Sequence, residues 1–89
     1  MTSPKPSLTA KKKGEALRLK PRTDLVASTV EGHRGAMLQA IEAGGESVVL
    51  DLSDVDLIDS LGITLVLGLF KSCQKAGIRF SIEGVKPDL

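Results

Sequence analysis

The run Val48-Val49-Leu50-Asp51-Leu52-Ser53, with the segment Ile58-Asp59-Ser60-Leu61-Gly62-Ile63 close behind it, constrains this chain more than any other feature. Residues 47–52 are apolar without alternation until Asp51, the pattern of a strand in the middle of a helix-covered sheet. Asp54, Asp56 and Asp59 mark a short acidic loop. Asp-Ser-x-Gly then opens a long apolar stretch, which predicts a helix over residues 59–76 with Gly77 as its stop. Strand, short loop and helix in that order belong to an α/β domain. They put one serine hydroxyl, that of Ser60, at a helix N-terminus beside several carboxylates.

The flanking sequence extends the same architecture. Residues 15–20 place Leu17 and Leu19 opposite Arg18 and Lys20, predicting a short half-buried strand that Pro21 ends. Ser28-x-x-Glu31 reads as a capping box, opening a helix to about residue 43. Met37, Leu38 and Ile41, with Val30 and Arg34, would lie along its inward side, and Gly44-Gly45 would end it. Ile78, Phe80 and Ile82 alternate with Arg79, Ser81 and Glu83 in a final strand. The order implies a layered α/β domain over residues 15–89 with right-handed crossovers. Residues 1–14, with Pro4, Pro6 and Lys11-Lys12-Lys13, read as a mobile tail. Val85-Lys86-Pro87-Asp88-Leu89 has the look of a helix start with nothing after it, so the expected domain lacks a terminal helix.

Composition narrows the function classes. At 89 residues one domain is the limit. A net charge of +1 and no aromatics beyond Phe70 and Phe80 argue against nucleic acid as a partner. The single cysteine, Cys73, excludes an internal disulfide; in an apolar helical pattern it reads as a buried thiol in a reducing cytoplasm. No apolar run has the length of a membrane span, and the first residues lack a signal-peptide core, so a cytoplasmic location is expected.

The helix after Ser60 carries two apolar faces. Gly62, Ile63, Val66, Phe70 and Cys73 form one stripe, expected to face the sheet. Leu61, Leu65 and Gly68 lie on the opposite side, and Lys71 and Lys75 lie between the faces, near Thr64. Either another segment covers this second stripe or it meets a partner beside Ser60.

Asp51, Asp54, Asp56 and Asp59 are expected to gather at the C-terminal end of the central strand, where open α/β sheets usually place their sites. Their spacing matches no calcium loop, so no metal is expected. A catalytic role lacks a base, since His33 is distant in sequence, and there is no glycine-rich phosphate loop. No catalytic residue and no cofactor are therefore assigned. Local chemistry alone favours Asp59 or Ser60 as a helix cap, worth about 1 kcal/mol. Capping and phosphate acceptance are compatible.

The run from Val48 to Ile63 resembles the signature of STAS domains, especially bacterial anti-sigma factor antagonists. Residues 25–84 follow the order of that family: helix, strand, Asp-Ser-x-Gly helix, glycine, strand. The resemblance implies a small STAS-like α/β fold with a mixed sheet, and a protein-interaction module rather than an enzyme. It implies that Ser60 is phosphorylated by a cognate anti-sigma factor that is also a serine kinase. The unphosphorylated form would bind that kinase, and a phosphatase would reset the cycle. Asp56, Asp59, Leu61, Gly62, Thr64, Leu65 and Gly68 are the expected partner-binding residues, and a homodimer is a further candidate assembly. The alternative within the same fold is a non-switching scaffold or transport-complex accessory subunit.

Overall fold

The computed structural model describes residues 8–13, 16–43 and 45–87. The apolar run at the centre of the chain forms β3 (Ser47–Asp51), and the alternating segments on either side of it in sequence become its neighbours. β2 (Ala16–Pro21) lies parallel on one side, with Leu17 opposite Val48 and Leu19 opposite Leu50. β4 (Arg79–Glu83) lies parallel on the other, with Phe80 opposite Val48 and Ile82 opposite Leu50. A further strand, β1 (Leu8–Lys13), runs antiparallel to β2, giving a mixed sheet in the order β1-β2-β3-β4.

β1 corrects the reading of residues 1–14 as a tail. Leu8 pairs with Pro21 and Lys13 with Ala16. A run of lysines does not prevent backbone pairing at a sheet edge. Residues 1–7 of the expected tail lie outside the described residues, as do Gly44 and the last two residues of the expected helix start. Among the described residues no helix follows β4.

One face of the sheet is covered. α1 (Val30–Glu42) and α2 (Ser60–Lys75) contribute Val30, Met37, Ile41, Leu65, Leu69 and Cys73 to a single core with Leu17, Leu19, Val48 and Leu50. Each such aliphatic side chain, once buried, contributes about 1.5–3 kcal/mol before entropy is set against it. The opposite face carries Arg18, Val49 and Ser81 in register and, among the described residues, no second layer, so there β3 is central without being covered on both sides. There Arg18 bridges Asp51 at 3.0 Å and Glu83 at 2.8 Å.

α1 does not start with the expected capping box. Thr29 is the N-cap, and its side chain makes no cap bond. Its hydroxyl instead turns back on the preceding loop, donating to the Asp24 carbonyl at 2.6 Å and accepting from the Val26 N–H at 3.0 Å. Glu31 pairs with Arg34 one turn on. His33 is buried on the inward face between Val30 and Met37, a position the sequence reading left unassigned. α2 ends as expected: Gly77 has φ +72°, the left-handed conformation that suits glycine after a helix.

Candidate functional site

Two loops build the platform under Ser60. The segment between β2 and α1 and the segment between β3 and α2 lie side by side and exchange backbone hydrogen bonds. The Leu25 N–H donates to the Leu57 carbonyl at 3.0 Å, and the Asp59 N–H donates to the Leu25 carbonyl at 3.1 Å. Side chains finish the joint. One Asp24 oxygen accepts from the N–H groups of Asp56 and Leu57, at 2.9 and 3.1 Å. One Asp59 oxygen accepts from the Ala27 N–H at 2.8 Å. Leu25 and Val55 are fully buried beneath the joint.

Asp59 is also the N-cap of α2. Its backbone is extended, and its other carboxylate oxygen takes the Gly62 N–H at 2.9 Å. The Gly62 and Ala27 N–H groups hold the Asp59 carboxyl below the ordinary aspartate range. The cap role is thus filled by Asp59. Ser60 is the first residue of the helix and is exposed. Among the described residues its hydroxyl makes no hydrogen bond within the chain, while its carbonyl accepts from the Thr64 hydroxyl.

Gly62 explains why the motif needs a glycine. A Cβ at this position would lie 2.1 Å from the Leu25 carbonyl oxygen. The first turn of α2 therefore sits directly against the other loop, which fixes both the entry of the helix and its rotation. That rotation corrects the expected helix faces. Gly62, Leu65, Leu69 and Cys73 point into the core, whereas Ile63 and Phe70 are 54% and 45% exposed. The first half of the helix is apolar all round, so periodicity alone does not choose a face; the close approach at Gly62 does.

Two of the residues expected to meet a partner are accordingly withdrawn from the surface. Leu65 is 2% exposed and belongs to the core, and Gly62 is sealed against Leu25. Leu61, Thr64 and Gly68 are exposed, and Thr64 and Gly68 line a groove between α1 and α2 with Arg34 and Leu38. Asp56 is exposed and Asp59 half-buried on the platform. Asp24 was not singled out from sequence, and its signal, an aspartate next to a buried leucine in a loop, is too common to have found it.

The carboxylates do not gather as expected, because each has its own partner. Asp51 turns to Arg18 and the Ser53 N–H on the open face of the sheet. Burial pushes its carboxyl up, but the Ser53 hydrogen bonds and the Arg18 guanidinium outweigh that and hold it below the ordinary range. Asp54 pairs with Arg22 at 2.8 Å, and Asp56 with Lys86. Among the described residues no group of three histidine, cysteine or acidic side chains is arranged to hold a metal ion. No helix among them is long and apolar enough to cross a membrane.

A four-stranded mixed sheet, two helices on one face and an Asp-Ser-x-Gly helix start on a stitched pair of loops define a small α/β domain. The STAS domain family model matches residues 7–89, so the chain belongs to that family. Solved structures share the fold. A candidate anti-sigma factor antagonist from Thermotoga maritima is 20% identical, with 92% of this chain and 71% of that one covered and a TM-score of 0.84. The anti-sigma factor antagonist SpoIIAA in its unphosphorylated form is 18% identical, with 90% and 74% covered and a TM-score of 0.72. A protein named Mglu is 24% identical with a TM-score of 0.79; 93% of this chain matches 21% of that one, so the chain spans about a fifth of its length. No curated protein sequence matches the chain.

Proposed function

We propose that this domain is a phosphorylation-switched protein-interaction module with Ser60 as its phosphate acceptor. Its partner would be a serine kinase that doubles as an anti-sigma factor, bound when Ser60 is unmodified, and a phosphatase would return the domain to that state. The setting is a bacterial cytoplasm and the output is transcription; the domain itself catalyses nothing. The observation that carries this reading is the division of labour at the helix start. Asp59 caps α2, which leaves the Ser60 hydroxyl exposed and, among the described residues, without an intramolecular bond. SpoIIAA, the Bacillus cell fate determinant, has been solved in a phosphorylated form that matches this chain with the same TM-score of 0.72 as the unphosphorylated form.

The physics supports a switch in binding rather than in folding. Phosphate adds about −1.5 to −2 charges at neutral pH. The α2 N-terminus favours an anion by about 0.3–1 kcal/mol, which offsets repulsion from Asp59. A partner pressed over Ser60, Leu61 and Thr64 would instead have to strip water from the dianion, at a cost of several kcal/mol. The alternative is a non-switching scaffold or transport-complex accessory subunit of the same fold.

Incubation with ATP and a bacterial anti-sigma serine kinase, followed by mass spectrometry, tests the acceptor. Phosphate on Ser60 is expected; phosphate on Ser53 with Ser60 unmodified refutes the assignment. In a binding assay with the same kinase, Ser60→Asp should weaken the complex at least tenfold while Ser60→Ala keeps it. Equal affinities for the two folded variants would favour the accessory reading.

A further inference from the structure

His33 is the only histidine of the chain, and it stands on the inward side of α1 with 2% of its surface exposed. Its Nε2 lies 2.8 Å from the Thr23 hydroxyl, and its Nδ1 has no partner among the described residues. A neutral imidazole tolerates this, because it carries one N–H and no charge. An imidazolium does not. Both of its nitrogens carry N–H groups, and a buried charge without acceptors is strongly disfavoured.

The elements around α1 offer that charge no acid, because their ionisable groups are engaged elsewhere. On the loop before α1, Arg22 pairs with Asp54, and the Asp24 carboxylate accepts from the Asp56 and Leu57 N–H groups. On α1, Glu31 and Arg34 pair with each other, and Glu42 is exposed at the far end. α2 turns Leu65, Leu69 and the Cys73 thiol inward, while Lys71 and Lys75 are exposed. At its start, Asp59 takes the Gly62 and Ala27 N–H groups. β2 turns Leu17 and Leu19 inward, with Arg18 held by Asp51 and Glu83 and Lys20 beside Asp54. β1 brings Lys12 into register with Leu17.

The helix around His33 is also weakly secured. Thr29 gives α1 no side-chain cap. Gly32 and Gly35 flank the histidine, and a Cβ at either would meet nothing within 4 Å. Packing requires neither glycine, yet each weakens a helix about fivefold relative to alanine. We propose that the segment from Arg22 to about Gly35 is a latch that opens as a unit when His33 takes up a proton. This latch is one half of the platform under Ser60. The Thr23 hydroxyl lies 3.2 Å from the Asp24 carbonyl, and the Thr29 hydroxyl donates to the same carbonyl at 2.6 Å. The next residue, Leu25, carries the backbone bonds to Leu57 and Asp59. Opening releases these bonds and with them the seat of the α2 N-terminus. The latch needs nothing from the Ser60 hydroxyl, so it stands or falls separately from the reading of that residue.

Native-state amide exchange of the full chain tests the latch. The Leu25, His33 and Asp59 amides should exchange at least about tenfold faster than Leu50 and Leu69, at rates that low urea barely changes, because a local opening exposes little surface. Their opening should increase about three- to tenfold between about pH 7.5 and 5.5, the upper limit being set by an open ring that titrates near 6.5. His33→Gln should remove that increase. Gly32→Ala combined with Gly35→Ala should slow exchange at Leu25 and Asp59 about tenfold or more, because the helix and the loop open together. The glycine pair touches nothing, so it keeps the test available where His33→Gln fails to fold. Latch amides that share the protection and urea dependence of Leu50 at both pH values overturn the proposal, since the proton then acts only through global unfolding. So does a folded His33→Gln chain with the pH response intact, or a glycine pair that leaves Leu25 and Asp59 unchanged.

Discussion

Gly62→Ala is the substitution on which the account of the site is most exposed. Helix propensity alone favours alanine over glycine by about 1 kcal/mol inside a helix. The structure opposes it: the added methyl would stand 2.1 Å from the Leu25 carbonyl oxygen and 2.8 Å from the Ile58 side chain. Neither neighbour yields freely. Leu25 is buried, and its carbonyl is the acceptor for the Asp59 N–H. Relief requires the helix and the loop to separate by roughly 1 Å, an overpacking cost of about 1–3 kcal/mol. Loss of the Asp59 bond adds about 1 kcal/mol. With propensity set against these, we expect a net loss of about 1–3 kcal/mol, from a total of roughly 4–13 kcal/mol for a domain of this length.

Gly68→Ala is the internal control. It lies in the same helix, is exposed, and has nothing within 4 Å of where a Cβ would stand. There propensity acts alone and should stabilise the domain by about 0.5–1 kcal/mol. The chain has no tryptophan or tyrosine, so the assay is urea unfolding followed by helical circular dichroism. With a slope near 1 kcal/mol/M, the Gly62→Ala midpoint should fall by about 1–3 M while the Gly68→Ala midpoint rises by under about 1 M. A Gly62→Ala midpoint at or above that of the unchanged chain would falsify the claim that this contact sets the helix.

Two other perturbations have clear signs. Leu65→Lys should not fold, because it strands a charge in the core without a partner, whereas Leu61→Glu should fold normally; circular dichroism and thermal melts of the pair decide between core and surface. His33 supplies a pH dependence. Burial pushes its pKa below the ordinary 6.5, so the native state holds it neutral. Stability from this group is full above pH 6.5 and is lost as pH falls below it, with a slope of at most about 1.4 kcal/mol per pH unit. Urea titrations between pH 8 and 5.5 should show that decline, and His33→Gln should flatten it; an unchanged slope would mean that His33 is not the titrating group. The neutral ring is held by its Nε2, 2.8 Å from the Thr23 hydroxyl. That hydroxyl also lies 3.2 Å from the Asp24 carbonyl, and Nδ1 has no partner among the described residues.

Where local pattern and tertiary context agreed, the sequence was readable. β3, β4, the start of α2 at Asp59-Ser60 and its stop at Gly77 all follow from runs or punctuation within a few residues. The misreadings share a cause, which is that the deciding partner is remote in sequence. Lys11-Lys12-Lys13 looks solvated until a neighbouring strand satisfies its backbone, and only the pairing with β2 makes it a strand. The face of α2 depends on a carbonyl at Leu25, far from Gly62 in the chain. The apparent cluster of aspartates disperses because Arg18, Arg22 and Lys86 come from three other segments. Proximity in sequence located the site but could not assign the bonds within it.

Those remote bonds bear on how Ser60 could act. A phosphate on a loose loop would reorganise the loop, and its effect on a partner would depend on that motion. Ser60 instead stands on two loops held by backbone bonds through Leu25 and by the paired acceptors of Asp24 and Asp59. None of these bonds uses the serine hydroxyl, so a modified oxygen displaces no existing contact. Leu25 and Val55, both inaccessible to solvent, anchor the platform from below. A charge added there changes what the surface presents while the geometry beneath stays the same. A binding switch built this way requires the cap and the acceptor to be different residues, and the adjacent pair Asp59 and Ser60 meets that requirement.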